Sequence, residues 1–375
     1  MPPVSTPLKI LHVVDSLEFG GLERVVTDLA IAQHARGHDV KVFSINSTNG
    51  LLPELQAAGI PVVIGAKAKS FDLNTLGKLR RTVVGCGITI VHTHNFVPNY
   101  HAAFALLGVS SRSTLVSTCH DMGNRLGNNK LRWMYRLSLL RTRRVAMVGQ
   151  QVHDRYVTSG LVRPSSAETV LNGIPVDRFV GSPERARIAR ARLGIGANVP
   201  VVGCVGRLVP LKNQRLMIES LDRLLRTHPS LRLVMIGEGP LEATLRAQAV
   251  SLGVAANVDF LGARTDVADL LPGLDIFALP SLTEGLSIAL LEACASGLAV
   301  VATKVGGNSE IINHGKTGML VPVGDAESLG DALQTLLDDP GLRRDMGVRA
   351  SAWVAAHASI DALCTTYDNF YRRAM

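Results

Sequence analysis

Two glutamates, two cations and a histidine stand where apolar runs give way to loops or helices. Glu284 and Glu292 lie in the stretch Pro280-Ser281-Leu282-Thr283-Glu284-Gly285-Leu286-Ser287, which continues as Ile288-Ala289-Leu290-Leu291-Glu292-Ala293. An apolar run, 275–279, precedes it and reads as a buried strand. Residues 286–295 read as a helix stopped by Gly297, and 299–303 as the next strand. In open parallel sheets, ligands bind in such loops at the carboxyl ends of strands. The amides of Gly285, Leu286 and Ser287 are expected to be unsatisfied at the helix start, which suits a phosphate. A helix running from Glu284 to Glu292 would set them ~12 Å apart along its axis and ~80° apart around it. That spacing fits a long ligand with a sugar, a diphosphate and a ribose.

The cations come earlier. A glycine-containing strand over 199–205 ends in Gly206-Arg207-Leu208-Val209-Pro210-Leu211-Lys212-Asn213. Arg207 and Lys212 share that loop. An arginine can grip a diphosphate bidentately, and a lysine adds a point charge. The histidine is His120, just past a strand over 114–118. His92 and His94 also end a strand and read as lining. Cys119 and His120 are adjacent, so in extended chain they point to opposite faces and do not form a nucleophile–base pair. Near the start, Gly20-Gly21 follows a first strand over 8–15 and permits close backbone approach to an anion. It matches neither the dinucleotide fingerprint nor the phosphate loop.

These residues need a scaffold. Strands alternate with helices throughout, which predicts parallel sheets covered on both faces. A chain of 375 residues with 47% apolar and 19% charged residues suits two domains with substantial cores. Turn-rich Asn172-Gly173-Ile174-Pro175-Val176-Asp177 and the charged stretch 178–198 put the boundary near residue 180. The domains read as 1–180 and 181–358, with a helix over 359–375 expected to pack back on the first.

Charge and composition narrow the partners. The net charge of +8 suits phosphates, nucleotides or acidic lipids. Aromatics at 4% argue against a stacking platform for single strands, and no nucleic-acid module is present. From Met122 to His153 there is no acidic residue, while Arg125, Lys130, Arg132, Arg136, Arg141, Arg143 and Arg144 are all cations. Leu131, Met134, Leu137 and Leu140 recur at helical spacing there, with Trp133 and Tyr135 between. The segment Arg125–Arg144 is thus a candidate for contact with an anionic membrane. The five cysteines lack metal-ligand spacing, which predicts reduced, buried thiols and no metal. No signal peptide or membrane span is read. The expected location is cytoplasmic, with peripheral binding to the inner membrane face.

The order of short motifs carries more than any one of them. Gly-Gly follows strand one. His120 ends a strand. Then come Asn-Gly-Ile-x-x-Asp, Gly-Arg-Leu-x-x-x-Lys, Gly-Glu-Gly-Pro, Glu-x7-Glu, Gly-Gly-x-x-Glu and Thr-Gly-Met-Leu-Val-Pro. The chain resembles the family 4 retaining glycosyltransferases of the GT-B fold over nearly its whole length, most clearly over 200–325. The resemblance implies an α/β architecture of two Rossmann-like, doubly wound parallel-sheet domains facing across a cleft, with the C-terminal helix crossing back. It implies a donor site in which Arg207 and Lys212 clamp the diphosphate and Glu292 binds ribose. Glu284 would contact a sugar hydroxyl, and the Gly285, Leu286 and Ser287 amides the sugar or phosphate. Gly20 and Gly21 would give backbone contacts to phosphate, and His120 would orient the sugar. No cofactor or metal is implied; the substrate would be a UDP- or GDP-sugar and the acceptor a saccharide or polyprenyl-linked saccharide. One departure is Gly149-Gln150, where family members often carry Ser-Glu. A sugar-nucleotide epimerase and a non-catalytic sugar-nucleotide-binding protein are the alternatives.

Overall fold

The structure, a computed structural model, describes residues 6–46, 50–68, 72–109, 113–120 and 128–375. The chain divides into two compact units, Met1–Gly173 with Ile360–Met375, and Ile174–Ser359. The division falls at Gly173 and not near residue 180. Ile174 is tied forward: its amide donates to the Ala358 carbonyl at 2.9 Å, and it bridges to Ser359. The charged stretch after it is no open linker. Ser182 caps the helix Pro183–Leu193, and Gly194 ends it in a left-handed turn. Arg190 reaches Asp275 at 2.7 Å and Arg192 reaches Asp269 at 2.9 Å, so the arginines pin this helix to the second unit.

The first unit holds seven parallel strands: β1 (Lys9–Val14), β2 (Asp39–Ser44), β3 (Val62–Ile64), β4 (Ile90–His94), β5 (Thr114–Cys119), β6 (Arg144–Met147) and β7 (Ala167–Thr169). Their order is β3-β2-β1-β4-β5-β6-β7, so the winding reverses between β1 and β4. The second unit holds β8 (Val201–Val205), β9 (Arg232–Ile236), β10 (Val258–Phe260), β11 (Ile276–Leu279), β12 (Ala299–Thr303) and β13 (Met319–Val321). Their order is β10-β9-β8-β11-β12-β13, reversing between β8 and β11. Such reversals open crevices at the carboxyl ends of strands. The central strands β1, β4, β11 and β12 are buried almost throughout, as strands covered on both faces must be.

Among the helices that escape the sequence reading are Phe96–Ala105, Gln150–Thr158, Pro183–Leu193 and Glu242–Ser251. Phe96–Ala105 is buried on nearly every side, so it shows no polar stripe to mark its period. The helix Ile360–Ala374 belongs to the first unit. Its Asp361 pairs with Arg36 at 3.0 Å, and Leu363, Tyr367, Phe370 and Tyr371 are buried. All five cysteines are free thiols, four of them buried. No helix among the described residues is long and apolar enough to cross a membrane.

Close packing makes two helical glycines behave oppositely. A Cβ on Gly347, inside the helix Pro340–His357, would fall 1.9 Å from the Gly297 carbonyl oxygen. At Gly330, inside Ala326–Asp338, its nearest neighbour would be Ser220 Cβ at 3.8 Å. Alanine ordinarily favours a helix by about 1 kcal/mol over glycine. Gly330→Ala is therefore expected to stabilise by up to about that amount, and Gly347→Ala to destabilise. Urea unfolding of the two variants checks the opposite signs.

Candidate functional site

In the second unit the loops after β8 and β11 meet at the reversal of winding. Lys212 Nζ lies 2.5 Å from Glu284 Oε1. Glu284 Oε1 also accepts from Ser281 Oγ at 2.6 Å. The two loops are stitched by backbone: the Leu282 amide donates to the Leu211 carbonyl at 2.8 Å, and Asn213 Nδ2 to the Pro280 carbonyl at 3.3 Å. Thr303 Oγ1 donates to the Ser281 carbonyl at 2.6 Å and anchors the second loop to β12. Gly306 packs so closely that a Cβ there would sit 1.8 Å from the Glu284 carbonyl oxygen, at a φ of +50°. Only glycine fits that position without moving the Glu284 backbone. Arg207 is exposed on the same loop as Lys212, and its guanidinium has no partner among the described residues.

The helix here is shorter than its sequence suggests. It runs Ile288–Ala295, with Ser287 as its cap: Ser287 Oγ accepts from the Leu290 amide at 3.4 Å. Glu284 lies in the loop, as its sequence suggests, so the angular relation of a helix spanning both glutamates does not apply. The hydroxyl cap competes with backbone continuation and starts the helix at Ile288. Glu292 sits on the helix proper, partly buried. The amides of Gly285, Leu286 and Ser287 donate to no backbone carbonyl among the described residues. The second unit thus gathers one neutralised lysine, one free arginine and free amides at one sheet edge.

The remaining site residues lie in the first unit. Gly20 caps the helix Gly21–Ala35, and its carbonyl accepts from the Arg24 amide at 2.9 Å. A Cβ on Gly20 would meet Glu23 Oε2 at 2.3 Å, so a phosphate there would have to displace that carboxylate. His120 is partly buried, and its amide donates to Asn95 Oδ1 at 2.8 Å. Cys119 is turned into the core against the Tyr135 hydroxyl at 3.0 Å, away from any role with His120. Asp121 and Arg125 lie outside the described residues.

His92 and His94 are no simple lining. With His12 they form a buried cluster below His120. His94 Nδ1 lies 3.1 Å from His120 Nε2, and His94 Nε2 lies 3.0 Å from His12 Nδ1. His12 Nε2 reaches Gln33 Oε1 at 2.8 Å. His92 bonds Tyr371 at 2.8 Å and Thr118 at 2.7 Å. His12, His92 and His94 offer nitrogens within 4.8 Å of one another, the spacing of a metal site. All six of their ring nitrogens are already engaged, so a metal would have to compete with each of these bonds. Burial drives the rings to the neutral form. It lowers His12 to about 4 and His120 to about 3, and it lowers His92 and His94 with help from their mutual repulsion. Asn95, Gln33, His12 and Tyr371 went unread as site residues, because their proximity arises only once the strands are ordered.

The basic helix runs Asn129–Leu139. Its inward face is Tyr135 and Ser138, not the leucine stripe. Ser138 Oγ accepts from Asn99 Nδ2 at 2.9 Å, which turns that face inward. Trp133 and Leu140 are 62% and 77% exposed.

Residues 19–178 match the family described as Glycosyltransferase Family 4, and residues 186–353 match Glycosyl transferases group 1. The chain belongs to the GT-B glycosyltransferases of the family 4 type. It is 38% identical over 221 residues to a GDP-mannose-dependent α-(1-6)-phosphatidylinositol monomannoside mannosyltransferase of Mycolicibacterium smegmatis. That match covers 56% of this chain and 56% of the relative, so it spans little more than half the relative's length. The N-acetyl-α-D-glucosaminyl L-malate synthase of Bacillus anthracis is 27% identical over 363 residues, 94% of this chain and 93% of that protein. The structure of HepE from Anabaena, solved with UDP, superposes with a TM-score of 0.86 at 23% identity, over 98% of this chain and 100% of that one. The GT-B fold follows from such likenesses.

The four imidazoles make a pH prediction. An unfolded histidine titrates near 6.5, whereas folded His12 takes a proton only near 4. The unfolded state then binds more protons between those values, so stability falls as pH drops through that window. His12 alone is expected to cost roughly 1 kcal/mol per pH unit between about 6.5 and 4. Chemical denaturation from pH 7 to 4 measures it, and His12→Asn should flatten the slope.

Proposed function

We propose that this protein is a retaining, metal-independent glycosyltransferase. It would move a hexose or related sugar from a nucleotide diphosphate sugar to a polysaccharide or lipid-linked saccharide, in cell-surface glycan biosynthesis. The observation that carries this reading is Lys212 paired with Glu284 where the loops after β8 and β11 meet, with Arg207 on the first loop and the Gly285–Ser287 amides on the second. Breaking the bond between the anomeric carbon and phosphate builds negative charge on the departing diphosphate. Fixed cations and amides aimed at that charge lower the barrier. Glu284 holds Lys212 at 2.5 Å. A bound diphosphate would draw Lys212 away and release Glu284 to accept from a sugar hydroxyl. Glu292 would take the ribose. Loss of the diphosphate on the face that the acceptor enters gives retention, with the leaving phosphate taking the acceptor's proton. No step in this scheme calls on a metal.

The mannosyltransferase relative makes GDP-mannose the first donor to test, with UDP- and ADP-sugars beside it. Specific binding to the native state raises its melting temperature by mass action. Lys212→Ala is expected to lower turnover at least ~100-fold with the fold unchanged. Full turnover in that variant would overturn the assignment. Donor incubated alone separates transfer from epimerisation, since an epimerase needs no acceptor.

Exposed Trp133 and Leu140 beside exposed Lys130 and Arg136 support peripheral contact with an anionic membrane face. Trp133→Ala with Arg136→Ala should weaken sedimentation with phosphatidylglycerol vesicles about tenfold, an order consistent with ~1 kcal/mol per cation plus the lost indole. Phosphatidylcholine vesicles are expected to bind neither form.

A further inference from the structure

The imidazoles below His120 form a directed relay. Gln33 Oε1 can only accept, so at 2.8 Å His12 Nε2 must carry the proton it receives. Neutral His12 then has a bare Nδ1, which must accept from His94 Nε2 at 3.0 Å. That leaves His94 Nδ1 bare, and it must accept from His120 Nε2 at 3.1 Å. The polarity is set at the far end. Gln33 Nε2 donates to the Tyr371 hydroxyl at 3.3 Å, so the amide presents its oxygen to His12. The Tyr371 hydroxyl in turn stands 2.8 Å from His92 Nδ1.

We propose that Gln33, through His12 and His94, locks His120 in the tautomer with its proton on Nε2, making His120 Nδ1 a dedicated hydrogen-bond acceptor for a substrate hydroxyl. His120 is the one residue of the four that is not fully buried, and its Nδ1 has no partner among the described residues. The Asn95 bond to the His120 amide holds the backbone that aims this nitrogen. Gln33, His12 and His94 act as positioning residues. The relay gives a reason for two of the three imidazoles buried in the sheet, His12 and His94: an apolar layer would leave His120 free to exchange tautomers, and in one of them Nδ1 would donate. The hydroxyl's identity as part of a sugar rests on the glycosyltransferase reading; the tautomer does not.

The test is nitrogen NMR of the full chain labelled with 15N-histidine, with rings assigned from His12→Asn, His94→Asn and His120→Asn. Long-range proton–nitrogen correlations distinguish a bare from a protonated ring nitrogen. His120, His94 and His12 are each expected to carry the proton on Nε2. Gln33→Glu should preserve this order, because a carboxylate also only accepts. Gln33→Leu should shift both His120 nitrogens toward an average of the two tautomers. A wild-type His120 protonated on Nδ1 would overturn the relay, and so would a folded Gln33→Leu variant with an unchanged His120. If Gln33→Leu does not fold, the wild-type spectrum decides. A separate arm uses singly deoxygenated GDP-mannose analogues. One of them should lose about tenfold or more in kcat/KM in the wild type, and most of that discrimination should vanish in Gln33→Leu. If the wild type transfers no sugar while its rings keep the predicted order, the enzymatic reading fails and the relay stands.

Discussion

Both sheets are wholly parallel, and that constrains everything else. Strands covered on both faces have no wet side, so charge and free amides surface only at their ends. In the second unit, this concentrates Lys212, Glu284 and Arg207 on loops leaving adjacent strands at the reversal of winding. In the first unit, three histidines sit inside β1 and β4, on either side of the other reversal. A polar group buried there without a partner would cost roughly 1–3 kcal/mol. His92 is satisfied by Tyr371 and Thr118, whereas His12 and His94 satisfy each other, and the same necessity that pairs them gives them a direction ending at His120.

The Lys212–Glu284 pair has the character of a latch more than of a brace. Lys212 retains 25% side-chain exposure and Glu284 only 9%, so the lysine is within reach of an incoming anion while the carboxylate is held. Ser281 and Thr303 keep the Glu284 loop in place, and Gly306 lets the neighbouring backbone close against it. Replacing a carboxylate by a diphosphate exchanges one charge for more than one, so the cation gains by the switch. Arg207 has no such competitor.

Much of this is legible in the sequence. The apolar runs 275–279 and 299–303 became β11 and β12, and the loop between them carries the glutamate that pairs with Lys212. Motif order identified the family where single motifs did not. Helix Ile288–Ala295 was overextended because a serine at 287 reads equally well inside a helix or as its cap. Helix Phe96–Ala105 was missed because burial all round erases periodicity. The relay was invisible for a different reason. Gln33, His12, His94 and His120 are scattered along the sequence, and only the strand order β1-β4-β5 makes them neighbours. His12 in a buried strand was a local signal in hindsight, since an unpaired imidazole does not belong there.

The central claim is that the loops after β8 and β11 recognise a diphosphate. Titration calorimetry compares the nucleoside diphosphate and monophosphate of the best-bound base, on the wild type and on Arg207→Ala. The diphosphate should bind at least about tenfold more tightly to the wild type, with most of that margin lost on removing Arg207. Equal affinity for the two nucleotides, or a margin indifferent to Arg207, would contradict it.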